Sequence, residues 1–138
     1  VIVGDDSALP AISRAVEALR SDARGVVIVE VDDEQSQLPL TAPAGVDVRW
    51  LHRAGPSGSA HPGTLLVAAV EAMARPDGAV DVFAHGERTA IKRLGAIFHG
   101  EWGIGRQEMS VSAYWAHGRA EDAFQAEKRE AVGKIFAD

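Results

Sequence analysis

The feature of this sequence that most limits its fold is the run from Val26 to Val31, in which only Glu30 is polar. Continuous apolarity, rather than alternation of apolar and polar residues, is typical of a strand buried on both faces, as in the centre of a parallel sheet. Two other segments, 46–53 and 110–115, alternate with period two. That pattern is typical of strands at the edges of a sheet.

Strands and helices alternate along the chain. A short strand at 1–3 leads into a helix whose apolar residues recur at steps of three and four, namely Leu9, Ile12, Val16 and Leu19. We predict further helices at 62–73 and 88–98 and a strand at 79–84. A charged amphipathic helix is predicted from Glu121 to Phe136, with Phe124, Ala131 and Ile135 docked and Glu130 paired with Lys134.

This alternation predicts an α/β fold, a three-layer doubly wound five-stranded parallel sheet with helices on both faces. The two period-two segments belong at its edges and the apolar run belongs inside, which gives the strand order 3-2-1-4-5.

Composition and charge exclude several classes of protein. The 138 residues carry a net charge of -6 with scattered basic residues, which argues against a nucleic-acid partner. No apolar run approaches the ~20 residues of a membrane span. The absence of cysteine excludes disulfides and thiolate metal sites and fits a cytoplasmic protein.

The turn after the first strand, Gly4 to Ser7, is a candidate anion site. A strand that runs directly into a helix places free backbone N–H groups at the sheet edge, where a pyrophosphate can bind. Ser7 can cap the first turn, and Pro10 is tolerated there. However, Asp5 and Asp6 would repel a phosphate, and the glycine fingerprint G-x-G-x-x-G is absent. Cofactor binding and a purely architectural role both stay open.

The loop after the third strand is a second candidate. Arg53 could bind a phosphate with help from Ser57 or Ser59. The alternative is a flexible connector with one exposed arginine. The acidic residues 32–34 are interpreted as solvated surface.

Neither catalytic nor metal-binding residues are predicted. The chain has five histidines, and the tripeptide His-Gly-Glu occurs twice, but an i, i+2 spacing does not place two ligands on one helix face. No nucleophile elbow of the form G-x-S-x-G is present.

Several short motifs together resemble a known family. They are the segments 4–12, 48–53, 85–87, 112–118 and 120–123. In this order and spacing they resemble the C-terminal domain of the siderophore-interacting proteins. The resemblance implies a protein in which an N-terminal β-barrel binds FAD and this domain binds NADPH or NADH. The whole protein would reduce iron(III) in a siderophore and release iron in the cytoplasm.

The resemblance also implies roles for individual residues. The opening turn would approach the pyrophosphate and nicotinamide through Gly4, Asp5, Ser7, Ala8, Leu9 and Pro10. Arg53, with Ser57, would hold the 2′-phosphate of NADPH. Gly86 and Glu87 would border the nicotinamide, and Tyr114 and Trp115 would lie near the flavin. His117 and Arg119 would replace the family's usual basic residues in contacting an anionic siderophore.

Residues 1–138 are thus expected to form a single NAD(P)H-binding domain. Because the chain starts without methionine and within a strand, we expect the FAD-binding barrel to lie upstream and this chain alone to be inactive as a reductase. The alternative is a stand-alone α/β nucleotide-binding or regulatory module. A reductase domain needs an apolar face that includes Tyr114 or Trp115, which a stand-alone module would cover.

Overall fold

The computed structural model describes residues 1–136, which contain seven strands and four α-helices. The strands are β1 (Ile2–Asp5), β2 (Gly25–Val31), β3 (Val46–His52), β4 (Ala54–Gly55), β5 (Gly58–Ser59), β6 (Val82–Glu87) and β7 (Met109–Trp115). The helices are α1 (Leu9–Glu17), α2 (Thr64–Glu71), α3 (Arg88–Gly95) and α4 (Glu121–Glu127). A π-helical turn, Ala96–Glu101, continues α3.

Five strands form one parallel sheet in the order β3-β2-β1-β6-β7. The remaining pair, β4 and β5, is a small separate hairpin. Counted without that hairpin, the order is the predicted 3-2-1-4-5. The period-two segments lie at the two edges and the apolar run lies inside, so the doubly wound α/β prediction is confirmed.

Both faces of the sheet are covered by helices. One face packs on α1 through Ile2, Val27, Val29 and Val31, which meet Leu9, Ile12 and Val16. The other face packs on α2 and α3 through Val3, Val26 and Ile28, which meet Leu66, Val70, Ile91 and Leu94. Because β2 contributes alternate side chains to both layers, nearly all of its residues must be apolar.

Strand β6 differs from its prediction. The expected strand at 79–84 is found at Val82–Glu87, so His85, Gly86 and Glu87 belong to the strand rather than to a turn. The pairing with β7 shifts register between Gly86 and Glu87. His85 and Glu87 can lie in this buried strand because their side chains are hydrogen-bonded.

The C-terminal segment also differs from its prediction. The single helix expected to Phe136 is replaced by α4 and a separate 3-10 turn, Ala131–Gly133. Phe124 is buried as expected, and Ile135 packs against the core, but Ala131 is exposed. A Cβ on Gly133 would lie 2.2 Å from the carbonyl oxygen of Glu127. The chain thus folds back on the end of α4, which removes the helical i, i+4 spacing expected for Glu130 and Lys134.

Candidate functional site

The carboxyl ends of β1 and β6 form the topological switch point of the sheet. From β1 the chain continues to α1 on one face, and from β6 it continues to α3 on the other. Ligands of doubly wound proteins bind in the crevice at such a point. Here it contains Asp5, Gly86, Glu87 and, from β7, Trp115.

Asp5 connects three strand ends. Its Oδ2 accepts hydrogen bonds from the Glu87 N–H at 2.8 Å and from the indole Nε1–H of Trp115 at 3.0 Å. Its Oδ1 accepts from the backbone N–H of Ser7 at 3.0 Å and from the Ser7 hydroxyl. Burial raises the pKa of Asp5, whereas the bonds from Ser7, Trp115 and Glu87 lower it. The residue that caps the first turn is therefore Asp5, not Ser7 as expected.

Two glycines are required here because the backbone and side chains approach closely. A Cβ on Gly86 would lie 2.6 Å from Asp5 Oδ2, which is shorter than any real Cβ contact. A Cβ on Gly4 would lie 2.5 Å from the His85 carbonyl oxygen and 2.8 Å from Cδ1 of Ile12. Contacts within the chain therefore explain why each of these two positions requires glycine.

Glu87 joins α3 to the loop after β7. Its Oε2 accepts from the Ala90 N–H at 3.0 Å and so caps α3. Its Oε1 accepts from the His117 N–H at 3.2 Å. The residue is 2% exposed, and its carboxylate holds two backbone segments in place.

A buried carboxylate that the sequence analysis did not identify lies at the end of β2. Glu30, fully buried, accepts from the N–H groups of Gly63 at 2.8 Å and Leu66 at 3.1 Å, at the start of α2. Arg53 Nη1 donates to the same carboxylate at 3.2 Å, and Arg53 Nη2 donates to Asp6 at 2.6 Å. The only sequence signal was one acid inside an otherwise apolar strand.

Carboxylates accept from backbone N–H groups in the turn before α1 and at the starts of α2 and α3, whereas α1 itself has no side-chain cap. Asp5 accepts from the turn that leads into α1, Glu30 from the start of α2, and Glu87 from the start of α3. The expectation of free N–H groups in the opening turn is therefore wrong for Ser7, whose N–H is already bonded. The N–H groups at these positions are already hydrogen-bonded, so they are not free to donate to an incoming pyrophosphate.

The other predicted site residues fall into three environments. Ala8 and Leu9 are buried in the core under α1, whereas Ser7 and Pro10 are exposed beside it. Ser57 lies in the exposed turn between β4 and β5. Tyr114 and Trp115 are half-buried, and His117 and Arg119 are exposed. Arg119 donates to Glu127 at 3.3 Å.

His85 is a buried histidine between β6 and β7. One ring nitrogen lies 2.9 Å from the Tyr114 hydroxyl and the other lies 2.9 Å from Ser110 Oγ, while the ring stacks on Phe83 at 3.9 Å. Burial lowers the pKa of His85. The imidazole is therefore held neutral at physiological pH.

This lowered pKa predicts a pH dependence of stability. Histidine in an unfolded chain titrates near ~6.5, so below that pH the unfolded state binds a proton that folded His85 does not. The contribution of His85 to the free energy of unfolding is present above pH ~6.5 and is lost as the pH falls toward the pKa of His85 in the folded protein. The free energy of unfolding is measured in urea for wild type and His85→Gln at about pH 7.5 and about pH 5.5. It should fall less for the variant than for wild type when the pH is lowered. The two proteins differ only at position 85, so equal losses of stability in both would contradict the assignment.

Among the described residues, none of the helices is long and apolar enough to cross a membrane.

The comparisons with known proteins agree with one another. Residues 1–118 match the model of the siderophore-interacting protein family. The chain is 38% identical over 137 residues to an uncharacterized protein of Mycobacterium tuberculosis, covering 94% of this chain and 48% of that protein. It is 31% identical over 138 residues to the ferric vibriobactin reductase ViuB of Vibrio cholerae, covering 99% of this chain and 49% of that protein.

Solved structures show the same relationship. The siderophore-interacting protein SipS from Aeromonas hydrophila superposes with a TM-score of 0.82 at 26% identity, covering 96% of this chain and 52% of that one. A siderophore utilization protein from T. fusca superposes with a TM-score of 0.74 at 38% identity, covering 86% of this chain and 45% of that one. The chain spans about half the length of the relatives it matches. With a family match over residues 1–118 and the predicted strand order in place, the chain belongs to the siderophore-interacting protein family.

Proposed function

We propose that this chain is the NADPH- or NADH-binding domain of a flavin-dependent reductase that releases iron from a ferric siderophore in the cytoplasm. Its FAD-binding domain would belong to the same protein outside residues 1–138. The observation that carries this proposal is the alignment of nearly the whole chain with about half of a ferric vibriobactin reductase.

In this proposal the residues at the switch point would contact the nicotinamide part of the cofactor. Trp115 presents a half-buried indole whose Nε1–H donates to Asp5, and Gly86 lies at the end of β6 against the same Asp5 carboxylate. These two residues, with Glu87 holding the loop, would border the nicotinamide. Ser7 and Pro10 are exposed at the opening turn and would face the pyrophosphate, although the N–H of Ser7 is already bonded to Asp5.

In this proposal the nicotinamide supplies a hydride, and a flavin passes the electrons on to the ferric ion. The residues of this chain bind and orient the cofactor, and the half-buried Tyr114 and Trp115 supply the surface facing the flavin domain. No acid, base or nucleophile of the chain is required.

Calorimetric titration of NADPH and NADH into the chain tests cofactor binding. We expect one site, and we expect Trp115→Ala to weaken binding of both cofactors by a similar factor, because the indole would contact the part they share. Without air, a longer protein that contains the flavin domain should oxidise more than one equivalent of the cofactor per flavin only when ferric siderophore is present. No binding of either nucleotide to the wild-type chain would overturn the proposal.

Arg53 provides a sharper test of the cofactor's 2′-phosphate. Its guanidinium is 10% exposed and already bonded to Asp6 and Glu30, so a phosphate must compete with the half-buried Asp6. Replacing Asp6 with asparagine removes that competing charge. If Arg53 holds the 2′-phosphate, Asp6→Asn should bind NADPH roughly 3- to 10-fold more tightly, about the equivalent of one hydrogen bond. NADH, which lacks the phosphate, should bind unchanged; equal changes for both cofactors would remove Arg53 from the site.

One observation favours the alternative, a stand-alone α/β nucleotide-binding or regulatory module. The N–H groups best suited to a pyrophosphate are bonded to Asp5, Glu30 and Glu87, and Arg53 is paired with two carboxylates. Such a module would show no electron transfer in any longer form of the protein. The same titration and the reductase assay decide between the two functions.

A further inference from the structure

Two exposed histidines from distant parts of the chain meet at the carboxyl edge of the sheet. His61 precedes α2 and His117 follows β7, and their ring centroids lie 4.6 Å apart at an interplanar angle of 65°. The His117 ring also lies 6.2 Å from the Trp115 ring. The pair is therefore next to the proposed nicotinamide position.

Buried carboxylates bond to the backbone of His117 itself and to the backbone two residues after His61. The His117 N–H donates to Glu87, and the Gly63 N–H, two residues after His61, donates to Glu30. Exposed side chains on anchored loops keep a defined separation, which a binding site requires.

The hydrogen bond of the His61 ring indicates which of its two nitrogens carries the proton. Nδ1 lies 3.1 Å from the Pro62 carbonyl oxygen, which can only accept, so Nδ1 carries the proton. The Nε2 atom of the neutral ring then presents a lone pair. Histidines that bind metals show this arrangement, with the second ring N–H donated to a carbonyl or carboxylate.

We propose that His61 and His117 form an open two-imidazole site for a divalent first-row transition ion. The identity of that ion as Fe²⁺ rests on the proposed reductase function. Imidazole nitrogen suits iron, copper, nickel and zinc ions. The site would take iron that is already reduced: bonds from Fe²⁺ to siderophore oxygens break, two iron–nitrogen bonds form, water fills the other positions, and no electron moves in this step.

The small number of ligands matches a cargo ion rather than a resident metal. Within residues 1–136, no group of three or more histidine, cysteine, aspartate or glutamate side chains could hold a metal ion. Structural zinc sites, in contrast, use four protein ligands and are closed. A site with two ligands binds weakly and releases readily, as transfer of iron requires.

Anaerobic calorimetric titration of the chain with ferrous sulfate, repeated with Co²⁺ as a redox-stable probe, tests the proposal. The variants are His61→Ala, His117→Ala and the double variant. The matched control is His52→Ala, since His52 is an exposed histidine at the same sheet edge, bonded to Gln37. We expect one ion per chain in wild type and His52→Ala, and an affinity at least about tenfold lower in each site variant. Circular dichroism confirms that each variant is folded.

Paramagnetic Co²⁺ gives a second readout. Imidazole resonances of His61 and His117 should shift or broaden first, followed by the Trp115 indole. Equal affinities in wild type and the double variant, or first broadening at His52 or His99, would overturn the proposal. Neither readout needs nicotinamide or flavin, so a chain that binds Co²⁺ at this pair but no nicotinamide would contradict the proposed function alone.

Discussion

Glu30→Ala is expected to lower the free energy of unfolding by about 3–5 kcal/mol, the usual cost of removing one partner from a buried ion pair. The substitution leaves the Arg53 guanidinium, 10% exposed, without its buried counter-ion. It also leaves the Gly63 and Leu66 N–H groups without an acceptor at the start of α2. For a chain of this length the loss corresponds to a fall in Tm of roughly 10 °C or more. Urea and thermal unfolding followed by circular dichroism measure it.

Asp6→Asn is the matched control, because Asp6 pairs with the same arginine but its side chain is 38% exposed. Because Asp6 is partly exposed and Arg53 keeps its bond to Glu30 in this variant, the control should lose about 1 kcal/mol, well below the loss for Glu30→Ala. Glu30→Gln, which keeps one acceptor oxygen, should fall between the two. A loss under about 1 kcal/mol for Glu30→Ala would show that water replaces the carboxylate at no cost, contrary to its full burial.

Gly86→Ala is expected to destabilise the protein by about 3 kcal/mol, because overpacking and the loss of charge-assisted hydrogen bonds act together. The added Cβ would lie 2.6 Å from Oδ2 of Asp5, the atom that accepts from Glu87 and Trp115. To make room, the carboxylate must move away from both donors. The Trp115 indole N–H resonance should therefore shift in the NMR spectrum, alongside the loss measured by urea unfolding.

The control for this prediction is Gly100→Ala, since a Cβ there meets no atom within 4 Å. Its stability should change by less than about 0.5 kcal/mol. A double-mutant cycle that combines Gly86→Ala with Asp5→Ala isolates the clash, because the added methyl group would then enter the space left by the carboxylate. If the double variant loses as much unfolding free energy as the two single variants together, there is no direct steric clash between position 86 and Asp5.

The fold was predictable because its signals are local. The apolar run at 26–31 and the alternating segments at 46–53 and 110–115 identified one buried strand and two edge strands, which determined the strand order. The boundary of β6 was not predictable, since His85 becomes compatible with a strand only through Ser110 and Tyr114. The length of α4 was likewise missed, because the charge pattern continues beyond Glu127 while the chain turns back.

For the candidate site, the sequence indicated the strand ends but not the hydrogen-bond partners. Asp5, Arg53, Gly86, Glu87 and Trp115 were all identified at the sheet edge. Free N–H groups were expected there, whereas Asp5 accepts from the Ser7 N–H in the opening turn and Glu87 caps α3. Glu30 and His61 were missed because nothing near either residue in the sequence predicts its partner.

Hydrophobic periodicity is a property of consecutive residues, so the sequence by itself determined the α/β class and the order of the strands. The tertiary structure alone decided which groups meet at the carboxyl edge of the sheet. Asp5 bonds to Glu87 across 82 positions and to Trp115 across 110. Such contacts depend on where separate loops converge in space, and no local pattern of residues encodes that convergence.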